Sequence, residues 1–595
     1  MNRRKLAVAV IFIGCLSQLG AAQSAVRYTV SLADPEHHLV HIRMTIPPGS
    51  DTRELQLPVW NALYQIRDFS QYMNWIRAED PSGHALPLFQ VNASRWSIAG
   101  ANSGAMVEYE MFSNDSGSFG AELNAQHAFF NLAEILIYED DKRKDPVQVE
   151  FQQVPSGWKV ATPLTQNREF YQARNYDQLV DSPVEIGAFI ESDFHAECGN
   201  YRVILDSADA QAVITNILPP IKRIVSEASR WMDDCPFHSY MFIFHFSDSP
   251  GRGGMEHAYS TAITLPAKSL SGDMETFTGV TAHEFFHLWN VKRIRPQSLE
   301  PIDYTKENYT PALWFSEGVD STASDCIRLR AGLLDERRYL ILLGEAITEL
   351  EDRPAHLTQS VEQSSEDAWL EEYPYYGLPE RSISYYNKGE LLGVLLDLRM
   401  RQASHDQASL QTLFRWMNER FAKQGKFFLD SDAIRQAAIK ISGADLEKFF
   451  SEYVSGVSEI PWDEFFTYVG LRVTMSEITS AHRGFAAVQK FDRPPVVVGV
   501  EPGSEAERAG LRADDLILQI NGQPAGRDFG KAIDAIGSGG VLHLRISSGG
   551  SERELQWTLG SRKEKIYRLE EVPGITADQK KHRALWLFDG APPLQ

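Results

Sequence analysis

Two imidazoles four residues apart, with a carboxylate beside the first, stand in the segment His283-Glu284-Phe285-Phe286-His287. On a helix of about 3.6 residues per turn, positions 283 and 287 lie one above the other on one face, separated by about 6 Å of rise. Both rings then reach one metal ion. The chemistry is that of a hydrolytic zinc site, with Glu284 as the base that takes a proton from water and hands it to a leaving amine. An accidental five-residue match would carry no third ligand downstream. Here Leu313-Trp314-Phe315-Ser316-Glu317-Gly318 follows, an apolar run with one carboxylate near its end. A carboxylate in such surroundings is costly unless it is paired or metal-bound. Glu317 on a second helix is therefore the candidate third ligand, and His283, His287 and Glu317 would hold one Zn2+ per chain.

The elements that must position these groups change character along the chain. From about Val26 to Asp206, short alternating runs such as Arg27-Tyr28-Thr29-Val30-Ser31-Leu32 are broken by Gly, Pro, Asn and Asp, which indicates a β-rich, sandwich-like domain. The stretch from Ala212 to Met232 has helical spacing, with Pro219-Pro220 expected to kink or split it, and Ser239 to Phe246 reads as a buried strand. Between roughly Ala282 and Gly456 the apolar spacing is helical, as in Glu390 to Leu398 and Asp445 to Tyr453. After about Ala481 short strands return, in the order Val496-Val497-Val498-Gly499-Val500, a glycine-marked turn with a small-residue helix over Pro502 to Leu511, then Leu516 to Ile520 and an Asn521-Gly522 turn. There is no internal repeat and no low-complexity tract.

That last order resembles a PDZ domain of the bacterial protease type, a module that takes extended peptides by adding a strand to a sheet edge. A structural appendage is the other reading of it. A wider resemblance rests on four segments in one order: Gly254-Met255-Glu256-His257, the motif helix, Trp314 to Gly318, and Tyr386-Asn387-Lys388-Gly389. They resemble, in turn, the Gly-x-Met-Glu-Asn, zinc-helix, Trp-Leu-Asn-Glu-Gly and Tyr-x-Lys-Gly elements of zinc aminopeptidases. The longer run from His283 through Asn290-Val291-Lys292-Arg293-Ile294-Arg295-Pro296, and the 29 residues between His287 and Glu317, are similar to the glycyl aminopeptidase family, a gluzincin branch with a PDZ domain. The similarity extends over nearly the whole mature chain, from Ile66-Arg67-Asp68-Phe69-Ser70 to Gln579 through Trp586. One departure is Trp60-Asn61-Ala62-Leu63-Tyr64, where relatives commonly have a Pro-Gly turn before the Tyr, and it bears on specificity if that loop touches substrate.

The resemblance implies roles for further residues. Tyr386, with Tyr385 as the neighbouring alternative, would donate to the oxyanion that forms on the peptide carbonyl. Glu256 would bind the free amine of a peptide, and it separates an aminopeptidase from an endopeptidase; a solvated acid in a Gly-rich loop is the plainer reading. His257 stands where the broader clan has Asn, and its role stays open. Asp320, one turn past Glu317, is placed to orient a zinc imidazole. Lys292, Arg293 and Arg295 read as a basic helix end rather than a substrate clamp.

Composition bounds the rest. At 595 residues, with 43% hydrophobic and 23% charged residues, the chain is a folded protein of several domains. Met1-Asn2-Arg3-Arg4-Lys5 followed by Leu6 to Gly14 reads as a secretory signal with a small-residue site at Gly20-Ala21-Ala22, too short an apolar run for a membrane span. Phe12-Ile13-Gly14-Cys15 weakly resembles a lipobox, so a lipid anchor on Cys15 is a minor alternative. Loss of Arg3, Arg4 and Lys5 takes the formal charge from −22 to −25, which argues against nucleic acid or an anionic membrane as partner. Cys198, Cys235 and Cys326 remain; they form no C-x-x-C pair, allow at most one disulfide plus a free thiol, and read as incidental to the fold.

The expected architecture is multidomain α+β. It comprises a signal peptide (1–22), an N-terminal β-sandwich-like domain (26–206), a thermolysin-like catalytic domain with strands before helices (207–478), a PDZ domain (484–560) and a C-terminal tail (561–595). The expected function is an exported, periplasmic or secreted zinc aminopeptidase acting on peptides, with the resemblance implying Gly or Ala at the substrate N-terminus. Two rivals are a zinc endopeptidase whose PDZ domain presents protein substrates or termini, and a peptide-binding sensor with a vestigial zinc site. No transmembrane segment is expected in the mature chain.

Overall fold

The computed structural model describes residues 25–61, 64–207, 210–247, 253–270, 274–371, 379–488, 494–526 and 529–589. The proposed signal segment and Cys15 lie outside them, as do Ala62 and Leu63. The alternating runs at the front form strands because every second residue has a core to enter: Val26, Tyr28, Val30 and Leu32 are buried in the strand Val26–Asp34 while their neighbours face outward. This strand lies in a seven-stranded sheet, and two four-stranded sheets close on the same apolar core, which includes Ile42, Trp96, Tyr109 and Val149.

The catalytic region begins earlier than composition suggests. Ile190–Ala196 and Gly199–Asp206 pair with Ser239–Ser247, Ser260–Pro266 and Gly253–Glu256 in a five-stranded sheet, so a division at residue 206 cuts through that sheet. The helix Ala210–Met232 runs unbroken over Pro219 and Pro220. Those prolines leave the carbonyls of Thr215 and Asn216 without helical partners, and both residues are exposed, so water can serve them. A disulfide joins Cys198 to Cys235, and Cys326 is a buried free thiol. The bridge ties the hairpin between the first two strands of the sheet to the segment after the helix, a local structural role.

The PDZ block is an insertion within the catalytic unit. Leu471–His482 and Gly560–Glu571 pair antiparallel along their full length, from Leu471 with Glu571 to His482 with Gly560, and the block enters and leaves through this ribbon. It has a separate small core of Phe485, Val497, Ile517, Leu544 and Trp557. The residues expected to form a tail instead return to the main core: Trp586 and Leu587 of the helix Ala577–Phe588 are buried there, and the Tyr567 amide donates to Thr348 Oγ1 at 2.9 Å. Among the described residues, no helix is long and apolar enough to cross a membrane.

Candidate active site

The motif helix spans Glu275–Phe286, with His287 as its C-cap. Phe277, Ala282, Phe285 and Phe286 anchor it in the core and leave the face of His283 and His287 toward a cavity of about 390 Å³. Glu317 comes from a π-helical turn, Trp314–Val319, that feeds directly into the helix Asp320–Arg330. A π turn widens the backbone and re-aims one side chain, a device common at functional sites. The Asn290 amide holds this turn by donating to the carbonyls of Phe315 and Ser316 and to Asp320 Oδ1, at 3.0 to 3.2 Å.

The three candidate ligands converge. His283 Nε2 and His287 Nε2 are 3.0 Å apart, and Glu317 Oε2 lies 3.4 and 3.3 Å from them. Their other nitrogens, both Nδ1, face Asp320 at 3.3 and 3.4 Å, so the carboxylate sets ring orientation and leaves Nε2 for the ion. Asp320 is also within ligand reach of both rings, but it is fully buried and absent from the cavity wall, whereas Glu317 lines it. Burial favours a neutral Glu317; the two imidazoles overcome it and hold that carboxyl down at about 2. Two imidazole nitrogens and a carboxylate oxygen within 3.4 Å of one another are a donor set that suits zinc.

Glu284 lines the same cavity, and burial pushes its carboxyl up to about 8. Among the described residues its buried Oε2 has no hydrogen-bond partner. The edge strand Gly253–Glu256 passes so close that a Cβ on Gly254 would stand 2.2 Å from Glu284 Cδ. Only glycine lets this strand run beside Glu284, and the strand carries Glu256 onto the cavity wall. Tyr386 also lines the cavity, its ring 6.1 Å from that of His283, while Tyr385 is buried and lines no part of it. A backbone crossing sets Tyr386 there: a Cβ on Gly318 would meet Gly389 Cα at 2.5 Å, and one on Gly389 would meet the Trp314 carbonyl at 2.4 Å.

Comparison with known proteins identifies the domains. Residues 27–188 match the Peptidase M61 N-terminal domain, residues 276–392 match M61 glycyl aminopeptidase, and residues 496–546 match a PDZ domain. The chain is a zinc metallopeptidase with M61-type N-terminal and peptidase domain matches. The sequence matches no curated protein. The structure is similar to that of an aminopeptidase N family protein from Idiomarina loihiensis, at 26% identity and a TM-score of 0.78, over 94% of this chain and 100% of that one. An M1 zinc metallopeptidase from Deinococcus radiodurans is 15% identical with a TM-score of 0.46, over 73% of this chain and 94% of that one. Aminopeptidase A from Legionella pneumophila is 12% identical with a TM-score of 0.45, over 93% of this chain and 57% of that one.

Within this zinc peptidase, the N-terminal domain supplies a group that motif reading does not place. The Tyr64 hydroxyl lies 3.4 Å from Glu317 Oε1, behind the proposed ligand atom, and the residue is held in the left-handed region at φ 47°. Its loop is pinned by Trp60, whose indole donates to the Asp303 carbonyl at 2.8 Å and stands edge-on to Trp369. The only sequence signal for Tyr64 is the unusual loop around it. The basic run is no solvated helix end. Lys292 Nζ pairs with Asp181 at 2.8 Å, Arg295 donates to the carbonyls of Leu299 and Val291, and Arg293 donates to those of Leu288 and Ala258. His257 is fully buried with Nδ1 3.3 Å from the same Asp181, whose other oxygen accepts from the Ala258 amide at 2.9 Å. These contacts fold the chain tightly after the motif helix, where Val291 takes φ 71°, and they form one wall of the cavity.

Proposed function

We propose that this M61 aminopeptidase is exported and removes small N-terminal residues, glycine or alanine, from peptides, with His283, His287 and Glu317 holding one zinc ion. The observation that carries the ligand assignment is the meeting of the two Nε2 atoms and Glu317 Oε2 at 3.0 to 3.4 Å, with Asp320 behind both rings. Zinc, when bound, supplies a Lewis acid that polarises the scissile carbonyl and acidifies water. The protein groups do the rest. Glu284 accepts the proton of the attacking water and returns it to the departing amine. The Tyr386 hydroxyl donates to the oxygen of the attacked carbonyl as negative charge gathers on it. Glu256, on the edge strand one wall away, pairs with the α-ammonium of the substrate and fixes which peptide bond meets Glu284. The matched family description, glycyl aminopeptidase, supports a small N-terminal residue, as does the lining of the cavity by Trp60, Tyr64, Met255 and Tyr259.

Export is supported by the basic and then apolar first residues and by the Cys198–Cys235 bridge, a bond that persists in oxidising compartments. Cell fractionation checks it, with the protein expected outside the cytoplasm. A second cavity, of about 1040 Å³, supports a role for the PDZ domain in handling longer substrates. It is lined by Gly254, His283, Glu284 and Tyr386 and also by Ala487, Val488, Phe529 and Lys531 of the PDZ block. Phe485–Val488 is an edge strand of the PDZ sheet, open to an added peptide strand.

The same cavity is what an endopeptidase would use, and one comparison separates the two readings. A glycyl peptide and its N-acetylated form are offered to the enzyme with and without a chelator. Loss of cleavage on acetylation supports the aminopeptidase; equal cleavage of both favours the endopeptidase. Cleavage that survives complete zinc removal overturns either.

A further inference from the structure

A second histidine and carboxylate cluster lies where the N-terminal domain meets the catalytic sheet. His127 is on the strand His127–Phe130 and Glu185 on Val184–Gly187, where His127 pairs with Gly187 and so shares a face with Glu185, two residues away. Asp206 and His245 are direct partners on the parallel strands Gly199–Asp206 and Ser239–Ser247. The two sheets thus present two adjacent pairs to each other. Phe129, Ile204, Met241 and Ile243 pack in the apolar seam beside them.

His127 Nδ1 is 3.1 Å from Glu185 Oε1 and 3.3 Å from Asp206 Oδ2, and His245 Nε2 is 2.8 Å from Glu185 Oε2. The other nitrogen of His127 faces Glu122 at 3.6 Å, and the edge of the Phe129 ring packs on the His245 imidazole. Glu185 is fully buried and His245 nearly so. A buried carboxylate needs positive charge beside it. Here three carboxylates face two imidazoles, and two of the three negative charges can be offset by two protons on the rings or by one divalent cation with both rings neutral. One donor atom each of His127, Glu185 and His245 lies within 4.8 Å of the others. Two imidazoles with carboxylates suit a first-row transition ion and not calcium or magnesium, which take oxygen ligands.

We propose that His127, Glu185 and His245, with Asp206 completing the set, form a second zinc-type metal site that fastens the N-terminal domain to the catalytic sheet. Glu122 is a positioning residue that holds the His127 ring through its outer nitrogen, as Asp320 does for the catalytic imidazoles. The inference does not rest on the aminopeptidase reading, because the cluster contains none of the residues assigned to it.

Counting metal on the full-length protein tests the proposal. Dialysed against zinc and then against metal-free buffer, the chain should hold two zinc equivalents by mass spectrometry. The H283Q/H287Q variant, stripped of catalytic ligands, should keep one, and H127Q/H245Q should also keep one. One equivalent in the wild type that vanishes in H283Q/H287Q would overturn the proposal and leave the cluster an ion-pair network. Should H127Q/H245Q fail to fold, calorimetric zinc titration of H283Q/H287Q decides alone: one tight site supports the proposal, and none refutes it. A failure of the catalytic reading shows itself separately, as one retained equivalent that H127Q/H245Q removes.

Discussion

The chain carries two histidine and carboxylate clusters built in opposite ways. At the proposed catalytic centre, two candidate ligands come from successive turns at the end of one helix and the third from a π turn held to it by Asn290. At the domain seam, four strands each contribute one residue, and register between neighbouring strands sets the geometry. The helix-borne cluster opens onto a cavity that Glu284 also lines. In the strand-borne cluster both imidazoles turn ring nitrogens toward carboxylates of the protein. The difference between them is access: one cluster lines a cavity and the other is packed between two sheets.

The largest expected effect sharpens that contrast. Glu284→Ala should lower kcat on a glycyl reporter by about 10²- to 10⁴-fold, the range for losing a positioned base, while zinc content stays at its wild-type value. Both quantities are read on one sample, by steady-state kinetics and mass spectrometry. Zinc loss in parallel with activity would mean that Glu284 is a ligand and not a base.

At the other cluster the penalty should fall on stability. Glu185→Leu removes the carboxylate that faces both seam imidazoles, and breaking a buried pair by deleting one partner costs about 3–5 kcal/mol. Urea unfolding followed by tryptophan fluorescence should show the N-terminal domain releasing at lower denaturant. An unchanged transition would mean that the apolar seam of Phe129, Ile204, Met241 and Ile243 holds the domains without help.

Glu256→Gln comes next in size. A charged hydrogen bond contributes about 1.5–3 kcal/mol, so kcat/KM on free-amine peptides should fall roughly 10- to 100-fold. N-acetylated peptides lack the cation, so their residual rate should not change, and the gap between the two substrates should close. A gap that stays open would move the amine anchor to another acid on the cavity wall.

These effects also separate what motif spacing can carry from what it cannot. His283, Glu284 and His287 are legible because helical rise fixes i and i+4 geometry within five residues, and Glu317 is legible because a carboxylate is conspicuous in an apolar run. Gly318 and Gly389 are legible as motif letters, yet the backbone crossing that requires them appears only when two distant segments meet. His127, Glu185, Asp206 and His245 carry no local pattern, since their meeting depends on register among strands far apart in sequence. The alternating runs predict strands well, but alternation does not reveal which sheet a strand joins. Gly199–Asp206 reads like its predecessors and pairs with the catalytic sheet instead. The ribbon of Leu471–His482 with Gly560–Glu571 is hidden for the same reason, its arms being separated by the whole PDZ block.

Tyr64 lies between these extremes, and its removal should give the smallest effect. Its hydroxyl is 3.4 Å from Glu317 Oε1, a long hydrogen bond to the oxygen that does not face the imidazoles. Partners behind a metal ligand typically change metal affinity by about 10- to 100-fold, and this distance puts Tyr64→Phe at or below the lower end. The variant should bind zinc up to about tenfold more weakly in competition with a chromophoric chelator. Asp320→Asn touches both rings and should weaken binding more, which gives an internal scale. If Tyr64→Phe matches the wild type in zinc affinity but raises KM for glycyl peptides, Tyr64 acts on substrate and not through Glu317. The loop from the N-terminal domain is then a specificity wall, and the contact with the ligand is incidental. If zinc affinity falls with KM unchanged, the N-terminal domain tunes the catalytic metal directly, and both clusters depend on the same domain interface.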